Sequence, residues 1–575
     1  MKRNKIIFFL VGLLVINFLL NPFSYRFDLT KEKRYSVTNS TKKLLQNLND
    51  EVRIDVFLTG VLSTDYKKLS IASEELLDEF KNLSKGNLQV NFVKPGEGLV
   101  DSLKFQLYDS LLRMGVVFER NVSTEKESDK STQQLIFPSA LVYYKNFKPI
   151  AIDLRSSRKI YKNYNVVNEV PQEDIEATRN AAEALLEFKF ANAIHKLTRN
   201  KIPTIAYLVG NGEPIDLKVN DLGESLRNEY RLAIFNLKDG FPNAKEIDAL
   251  IILKPTIPFS DIDKLKIDQF VMNGGNVFWG VDKLYAELDS LMRKQSDFVA
   301  FDRKLNIEDL LFRYGVRINS NLVQDLNCSK IPVVVGYNAD GKPQMQRIPF
   351  PYYPFLTSNS NHSISKNLDK VLPIFPSSID TIKTENITKT VLLATDSNSR
   401  FISTPAIVSL NSVKSESDFD LFTSSHVPIS VLLEGKFKSL YTNSLSSILN
   451  DSVEIISGKK FLSSSIKDSK QIVLSDADIV MNAISTTDGP LTMGMLPYEN
   501  YQFANKDFFL NCIEYLVDNS GILESRNKDF TLRLLDKQKL KEHKNYWQII
   551  NVLVPVVIVF LFGFIFITIR KRKYN

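Results

Sequence analysis

Recognisable catalytic signatures are missing from this sequence of 575 residues. It has no Gly-x-Ser-x-Gly elbow of a hydrolase, no glycine-rich loop ending in Gly-Lys-Ser/Thr for a nucleotide, and no complete dinucleotide fingerprint. Only four histidines occur, and no two are spaced as His-x-x-x-His, which argues against a zinc site. We therefore expect no catalytic residue, no bound metal and no cofactor.

Cysteine is also scarce, since Cys328 and Cys512 are the only two. Neither has metal-ligand spacing, and neither lies at a strand-to-helix turn that would suit a hydrolase nucleophile. In an oxidising compartment they could form a disulfide or persist as buried free thiols, and the sequence leaves both alternatives open.

The excess of positive charge is confined to the two ends of the chain. The formal net charge is +7, from 73 basic and 66 acidic residues. Seven of the bases lie in residues 2–5 and Arg570–Lys573, where no acid occurs, so the rest of the chain carries 66 of each sign. A pI near 8.9 can indicate nucleic-acid binding, but here the basicity flanks apolar segments. We therefore expect no nucleic acid as a partner.

The apolar segments beside these bases, Ile6–Leu20 and Ile549–Ile569, predict two membrane spans. The second is long enough for ~30 Å of hydrocarbon and is preceded by the interfacial residues Tyr546 and Trp547. The positive-inside rule places both termini in the cytoplasm and the body across the membrane. We expect an N-terminal anchor over residues 1–23, a C-terminal transmembrane helix over 548–569 and a basic tail over 570–575. A cleaved signal peptide is the alternative for the first segment, but no small-residue cleavage site follows Leu20.

Alternating strands and helices predict an α/β body. We divide it into a first domain over residues 24–199, a second domain over 200–522 and a charged helical stem over 523–547. In the first domain the patterns predict strands at Val52–Thr59, Leu88–Val93, Leu111–Glu119 and Ala140–Lys145, helices at Ile71–Leu83 and Asp174–Thr198, and an exposed loop at Arg120–Gln134.

The second domain has the clearer pattern, because apolar strands alternate with helices as in a parallel sheet covered on both faces. After Asp282 the sequence becomes rich in β-strand patterns, and the run Ile348–Phe355 is typical of a turn. The predicted strands are Thr204–Val209, Leu232–Leu237, Ile247–Leu253, Asn276–Val281, Val391–Ala394, Val431–Leu433 and Gln471–Leu474, and the predicted helices are Asp221–Tyr230, Asp261–Met272 and Lys506–Val517.

Ligands of open parallel sheets bind beyond the carboxyl ends of the strands. We therefore define a predicted ligand-binding rim by the residues that follow these strands: Gly210, Asn211, Gly212, Glu213, Asp282, Asp476 and Asp478. The turn at Gly210–Glu213 has the backbone to hold an anion, and the alternative is a tight turn that needs glycine. Asp476 and Asp478 suit a cation or a hydroxylated ligand, and the alternative is a helix cap.

A series of motifs in order resembles a known family. They are the segment Phe27–Ser36 after the first apolar run, YLVGNGE (Tyr207–Glu213), Gly274–Val277, LPIFPSSI (Leu372–Ile379), LSDADIVMN (Leu474–Asn482), Asn505–Leu516, and RLLDKQK (Arg533–Lys539) leading into Asn545–Pro555. Over essentially its whole length the chain resembles the GldG family of gliding-motility ABC-transporter auxiliary or substrate-binding subunits. The family's turn reads Gly-His-Gly-Glu, whereas here Asn211 replaces the histidine, so chemistry by that histidine is not carried over.

The resemblance implies a flavodoxin-like central domain related to class I glutamine amidotransferases, without their nucleophile. It implies a location in the inner membrane of a Gram-negative bacterium with a periplasmic body. The implied partners are a polytopic permease, a separate cytoplasmic ATPase and membrane lipid, with carbohydrate or an envelope protein as the ligand. The leading hypothesis is thus a non-catalytic binding or coupling subunit. The alternatives are a structural scaffold without a small ligand and, third, an envelope glycan or amide hydrolase.

Overall fold

The computed structural model describes residues 36–60, 62–124, 131–156, 160–162, 172–288, 297–410, 416–442, 460–499, 501–528 and 544–574. The predicted N-terminal anchor and residues 529–543 of the predicted stem lie outside these ranges. The chain forms two compact units, Met1–Lys528 and Asp529–Asn575. The boundary that we expect between residues 199 and 200 stays a prediction within the first unit.

The first part of the larger unit is built on a four-stranded mixed sheet in the order β2-β1-β5-β6. β1 pairs in parallel with β2 and antiparallel with β5, which confirms three of the four strands predicted here. Its helices are α1 (Asn39–Gln46), α2 (Thr64–Leu83), α3 (Asp101–Arg113) and α4 (Ile175–Thr198), and its strands are β1 (Val52–Val56), β2 (Leu88–Phe92), β3 (Glu119–Thr124), β4 (Ser131–Ile136), β5 (Ser139–Tyr144), β6 (Ile150–Asp153), β7 (Tyr161–Lys162) and β8 (Gln172–Glu173).

Two predictions for this part are wrong. The apolar residues at the start of Leu111–Glu119 close α3 and not a strand, because Leu107 and Leu111 lie one turn apart and pack on the same cluster. The segment Arg120–Gln134 is not wholly a loop, since β3 and β4 pair antiparallel from Glu119 to Ile136. This hairpin is held together by hydrogen bonds between the main chains of its two strands. Its polar sequence therefore lacks the apolar pattern from which a strand is predicted.

The central part contains the predicted parallel sheet. The strand Thr204–Val209 and the helix Asp261–Met272 match their predicted bounds, and the neighbouring elements differ by one or two residues at their ends. The elements are β9 (Thr204–Val209), a 3₁₀ turn (Leu217–Val219), α5 (Asn220–Glu229), β10 (Arg231–Asn236), a 3₁₀ turn (Leu237–Asp239), β11 (Ala249–Leu253), α6 (Asp261–Met272) and β12 (Asn276–Gly280).

A long β-rich segment separates β12 from the next strand of this sheet. Its elements and those that follow are β13 (Leu284–Tyr285), β14 (Phe298–Asp302), α7 (Glu308–Tyr314), β15 (Val316–Ile318), β16 (Asn321–Asp325), β17 (Cys328–Tyr337), β18 (Pro343–Pro354), β19 (Thr357–Ser358), β20 (Ile379–Thr381), β21 (Ile387–Ala394), β22 (Ser399–Ser403), β23 (Ala406–Val408), α8 (Glu416–Phe419), β24 (Pro428–Gly435), β25 (Ser469–Leu474), a 3₁₀ turn (Ala477–Val480), β26 (Ile484–Ser485), β27 (Gly489–Pro490), α9 (Asn505–Val517) and a 3₁₀ turn (Ile522–Asn527).

The main sheet has eight strands in the order β10-β9-β11-β12-β25-β24-β21-β19. The first five strands are mutually parallel, and the last three continue the sheet antiparallel. Across the parallel part of the sheet, the neighbouring strands are therefore the second, first, third, fourth and fifth in chain order. The carboxyl ends of β9, β11, β12 and β25 consequently lie at one edge of the sheet.

The run Ile348–Phe355 is not a turn, which corrects the prediction. It lies mostly within β18, which pairs antiparallel with β17 in a two-stranded ribbon. Each strand of such a ribbon has one unpaired edge, so the missing N–H groups of Pro349 and Pro351 are tolerated. Tyr352 and Tyr353 are buried in an aromatic cluster with Phe350.

Residues along the parallel strands alternate between two hydrophobic cores. Tyr207 and Phe278 face the core that α9 covers, whereas Leu208 and Trp279 face the core that α6 covers. The first of these cores also contains side chains of α4 and of the four-stranded sheet. Burial on both faces explains why these strands read as continuous apolar runs.

The second unit contains α10 (Lys544–Tyr574), a helix of 31 residues. Its segment Tyr546–Arg572 is the one helix in the described part of the chain that is long and apolar enough to cross a membrane, judged by length and composition. At 1.5 Å per residue its 27 residues span about 40 Å, and Pro555 lies inside it without ending it.

Candidate functional site

The Gly210–Glu213 turn follows β9 directly and contacts the loop after β11. The carbonyl oxygen of Asn211 accepts hydrogen bonds from the main-chain N–H groups of Thr256 and Ile257, both at 2.9 Å. Gly212 has a φ of +80°, and a Cβ atom there would lie 2.1 Å from Thr256 Oγ1. Glycine is therefore required by a close approach between two loops. β9 and β11 are the neighbours at which the strand order reverses, the usual ligand position in open α/β sheets.

Glu213 turns its carboxylate back into this turn. Its Oε2 accepts a hydrogen bond of 2.7 Å from the main-chain N–H of Asn211, while Oε1 is buried without a hydrogen-bond partner among the described residues. The residue is 7 % exposed. Burial raises the pKa of Glu213, and hydrogen bonds from the turn's own backbone oppose that rise.

Asp282, Asp476 and Asp478 come together beyond β12 and β25. One carboxylate oxygen from each residue lies within 4.8 Å of one oxygen from each of the other two. Lys254, which follows β11 in a left-handed backbone conformation (φ +46°), places its Nζ 3.0 Å from Asp282 Oδ2 and 2.6 Å from Asp478 Oδ1. Sequence reasoning did not predict that Lys254 joins the aspartates. We call these four residues the aspartate–lysine cluster.

Two aspartates of the cluster, Asp476 and Asp282, also accept hydrogen bonds from main-chain N–H groups. Asp476 caps the 3₁₀ turn Ala477–Val480 through a 2.9 Å bond from the Asp478 N–H, and its other oxygen accepts the N–H of Ile374. Asp282 Oδ1 accepts the Ala477 N–H at 2.7 Å. The capping alternative for Asp476 is thus present in the structure.

Burial governs the electrostatics of the cluster. It raises the pKa of Asp476 well above its usual range, and the charges of Asp478 and Asp282 add to the rise. Burial also raises the pKa of Asp478, against the attraction of Lys254. For Lys254 burial acts to lower the pKa, but the carboxylates of Asp282 and Asp478 outweigh it and raise the pKa. The ammonium therefore stays charged and takes the position that a bound cation would occupy between two carboxylates.

The rim residues thus form two groups along one edge of the sheet. The loop after β11 links them, because Lys254 belongs to the cluster and Thr256 contacts the turn. Among the described residues, no hydrogen bond or ion pair joins Glu213 to an aspartate of the cluster. In its present state the edge satisfies most of its own polar groups, and Glu213 Oε1 is the exception.

A second polar group lies where α4 meets the end of α9. His195 Nε2 is 3.2 Å from Asp518 Oδ1, and Lys196 Nζ is 2.7 Å from Glu229 Oε2. Burial acts to raise the pKa of Asp518, but hydrogen bonds from His195 and Ser520 lower that pKa to about 2. These contacts link α4 to α5 and to the end of α9, and the sequence pattern did not predict them.

Both cysteines are free thiols in the structure, so the open choice between disulfide and thiol resolves to two thiols. Burial raises the pKa of Cys328 to about 12 and holds the pKa of Cys512 well above its usual value. Neither is a thiolate at neutral pH, which makes both unreactive.

Sequence reasoning missed two neighbouring cavities of the described structure. One of about 680 Å³ lies among α2, the start of α4 and residues 501–507, and a neighbour of about 370 Å³ lies among β6, α4 and α9. No rim residue lines either cavity. Their walls combine segments more than 300 residues apart in the chain, so no local motif marks them.

Comparison with known proteins gives one family for the central part of the chain. A family model described as an ABC-type uncharacterized transport system matches residues 202–512, and a model described as a domain of unknown function matches residues 31–143. An uncharacterized protein of Borreliella burgdorferi strain B31 is 20% identical over 594 residues, covering 100% of this chain and 99% of that protein.

Two solved structures share limited similarity. The mmIFT52 N-terminal domain has 12% identity and a TM-score of 0.29, covering 54% of this chain and 96% of that one. The exo-beta-1,4-mannosidase Op5Man5 from Opitutaceae bacterium strain TAV5 has 11% identity and a TM-score of 0.17, covering 44% of this chain and 32% of that one. Both scores are too low to bear on fold or function.

Proposed function

The chain belongs to the family described as an ABC-type uncharacterized transport system, and on that premise we propose that it is the membrane-anchored binding and coupling subunit of such a system, without catalytic activity of its own. The observation that carries the proposal is the family match over residues 202–512, which contains the parallel sheet and most of α9. A transporter-associated accessory role follows from the family. Its partners are a polytopic permease and a separate cytoplasmic ATPase.

The membrane arrangement that we propose has two spans, with both termini in the cytoplasm of a Gram-negative cell and the body in the periplasm. α10 supports the second span, because its apolar segment exceeds the ~30 Å of a bilayer core. Arg570–Lys573 at its end support a cytoplasmic C-terminus by the positive-inside rule. The first span rests on the apolar run Ile6–Leu20.

We further propose that the central domain is flavodoxin-like and that the complex serves gliding motility. The second-first-third-fourth-fifth order of the parallel strands supports the first point, because it is the order of flavodoxin-like sheets. The motif series from Phe27 to Pro555 supports the second, through its resemblance to the GldG family. The domain division at residues 199/200 and 522/523 belongs to the same proposal.

The rim remains the proposed ligand-binding edge of the central domain, with carbohydrate or an envelope protein as the ligand. Its position at the reversal of strand order supports this, as does the unpartnered Oε1 of Glu213. A ligand hydroxyl that donates to Glu213 Oε1 would satisfy that atom. A ligand that reaches the aspartate–lysine cluster must compete with Lys254 for the carboxylates.

Co-purification from the native membrane tests the proposed function. The tagged full-length protein in mild detergent should carry an ATPase and a permease with it. Replacing Ile549–Ile569 with an unrelated apolar span of equal length, with Arg570–Lys573 retained, should abolish this association if the span is a coupling element. The matched control scrambles the solvent-exposed segment Asp340–Lys342. Migration of the unaltered protein alone would overturn the transporter assignment and favour the scaffold.

A further inference from the structure

The 370 Å³ cavity contains a buried arginine with unused hydrogen-bond donors. Arg526 is 5 % exposed, and its Nη1 donates to Asn511 Oδ1 at 3.2 Å. Its Nε and Nη2 atoms are buried and have no hydrogen-bond partner among the described residues. No carboxylate of the described residues forms an ion pair with it, and its guanidinium carbon lies 4.9 Å from the centre of the Phe188 ring. A buried guanidinium without a carboxylate is costly to hold in a folded protein.

The two unused atoms are the ones that bind a carboxylate best. Nε–H and the adjacent Nη2–H lie on one edge of the planar guanidinium and point in parallel. Two carboxylate oxygens match that spacing, which gives the bidentate pairing typical of arginine. The Nη1 bond to Asn511 and the contact with Phe188 fix the orientation of this edge.

Further donors and acceptors line the same cavity. Lys189 Nζ donates to the carbonyl oxygens of Asp153 at 2.6 Å and Arg155 at 2.5 Å, and its third N–H has no hydrogen-bond partner among the described residues. Burial lowers the pKa of Lys189 to about 8, so the ammonium is mainly charged at neutral pH. Asn192 contributes a buried Oδ1 without a partner among the described residues, an acceptor for a ligand hydroxyl or amino group.

We propose that this cavity binds a small carboxylate ligand, with the carboxylate on the Nε/Nη2 edge of Arg526 and a hydroxyl or amino donor of the ligand on Asn192 Oδ1. Lys189 supplies a second positive charge. Asp507 and Glu514 also line the cavity, so a doubly charged phosphate would meet more repulsion than a singly charged carboxylate. The site is separate from the rim, and it stands whether or not the chain associates with a permease.

Thermal unfolding of the full-length protein in mild detergent tests the site. The probes are acetate, D-glucuronate and inorganic phosphate, each compared with sodium chloride at equal ionic strength. D-glucose is the neutral match for D-glucuronate, because it carries CH₂OH in place of the carboxylate. A ligand that binds only the folded state stabilises it by RT ln(1 + [L]/Kd), so the unfolding temperature rises with the logarithm of a saturating ligand concentration. We expect acetate and D-glucuronate to raise it and glucose to leave it unchanged.

The variants separate the proposed site from general ion effects. Arg526→Met should remove the response to both carboxylates, and Arg526→Lys, which keeps the charge but loses the two-pronged edge, should weaken binding at least tenfold. The control Arg317→Met removes an exposed arginine that does not line this cavity, and its response should equal that of the unaltered protein. Absence of any carboxylate response would overturn the proposal, as would an equal response in Arg526→Met. A phosphate response at least as strong as that of acetate would overturn the carboxylate assignment.

Discussion

Replacing Lys254 with methionine removes the only cation in contact with the aspartates of the aspartate–lysine cluster among the described residues. The Lys254 side chain is only 12 % exposed, and its Nζ lies 3.0 Å from Asp282 Oδ2 and 2.6 Å from Asp478 Oδ1. At an effective dielectric constant of ~20, each pair is worth about 6 kcal/mol before desolvation penalties of several kcal/mol per ion are subtracted. Breaking a buried pair leaves an uncompensated charge, so we expect Lys254→Met to lower the free energy of unfolding by about 3–5 kcal/mol.

The pH dependence of this loss has a definite sign. Asp476 and Asp478 have folded-state pKa values above their unfolded values, so the folded state binds more protons and gains stability as the pH falls. Without Lys254 their repulsion grows, and the loss in Lys254→Met should be largest near pH 7. It should shrink as the pH falls towards about 4, the ordinary aspartate range, because the carboxylates are then protonated.

Tryptophan fluorescence during urea unfolding measures the effect at the sheet itself. The chain has two tryptophans, and Trp279 is fully buried in β12, three residues before Asp282. A Trp547→Phe background removes the signal of α10. Adding Asp478→Asn to Lys254→Met should recover part of the loss, because it removes one unpaired charge. A loss below about 1 kcal/mol at pH 7, the size of an exposed pair, would refute the argument, as would a loss that does not change with pH.

Three further substitutions test other parts of the fold and site. Gly212→Ala should lower the free energy of unfolding by more than the ~1 kcal/mol that its positive φ costs, because the added Cβ would also collide with Thr256 Oγ1. Gly86→Ala is the control, since Gly86 also has a positive φ but open space around it, so its loss measures the backbone strain without a collision. Glu213→Gln should match or exceed the unaltered protein in stability at pH 7 and lose that advantage near pH 4, where the raised pKa leaves Glu213 protonated. Arg526→Met should keep or raise the unfolding temperature, since it removes an unpaired buried charge.

The outcomes that contradict these predictions are distinct. If Gly212→Ala and Gly86→Ala lost the same free energy of unfolding in urea, the loops after β9 and β11 would be able to move apart without an energetic cost. A stability of Glu213→Gln that falls in parallel with that of the unaltered protein from pH 7 to pH 4 would show that Glu213 does not titrate there. A fall of several kcal/mol in the free energy of unfolding of Arg526→Met would assign Arg526 a purely structural role. Lys196→Met, which breaks a partly buried ion pair with Glu229, shows the size of such a fall.

Local patterns predicted the elements whose residues carry their own signal. β9 is an apolar run and α6 is followed by Gly274 and Gly275, so both were placed to the residue. The structure adds a Ser260–Asp263 capping box at the start of α6. α4 was placed by its long apolar face, and the structure shows that Asp174, predicted as its first residue, is its N-cap. The failures were elements held by their partners: the polar β3–β4 hairpin and the proline-rich β18 exist because another strand supplies their hydrogen bonds.

The sequence by itself determined the parallel α/β pattern, the apolar C-terminal segment and the presence of carboxylates after several strands, because each depends on residues close together in the chain. Tertiary structure decided what those carboxylates contact. It brought Lys254 between Asp282 and Asp478, and it left Arg526 unpaired in a cavity with Lys189. Asp478 lies 224 positions from Lys254, and Arg526 lies more than 300 positions from Lys189. Whether a charge is satisfied depends on which neighbours packing places within ~4 Å, which no local pattern encodes.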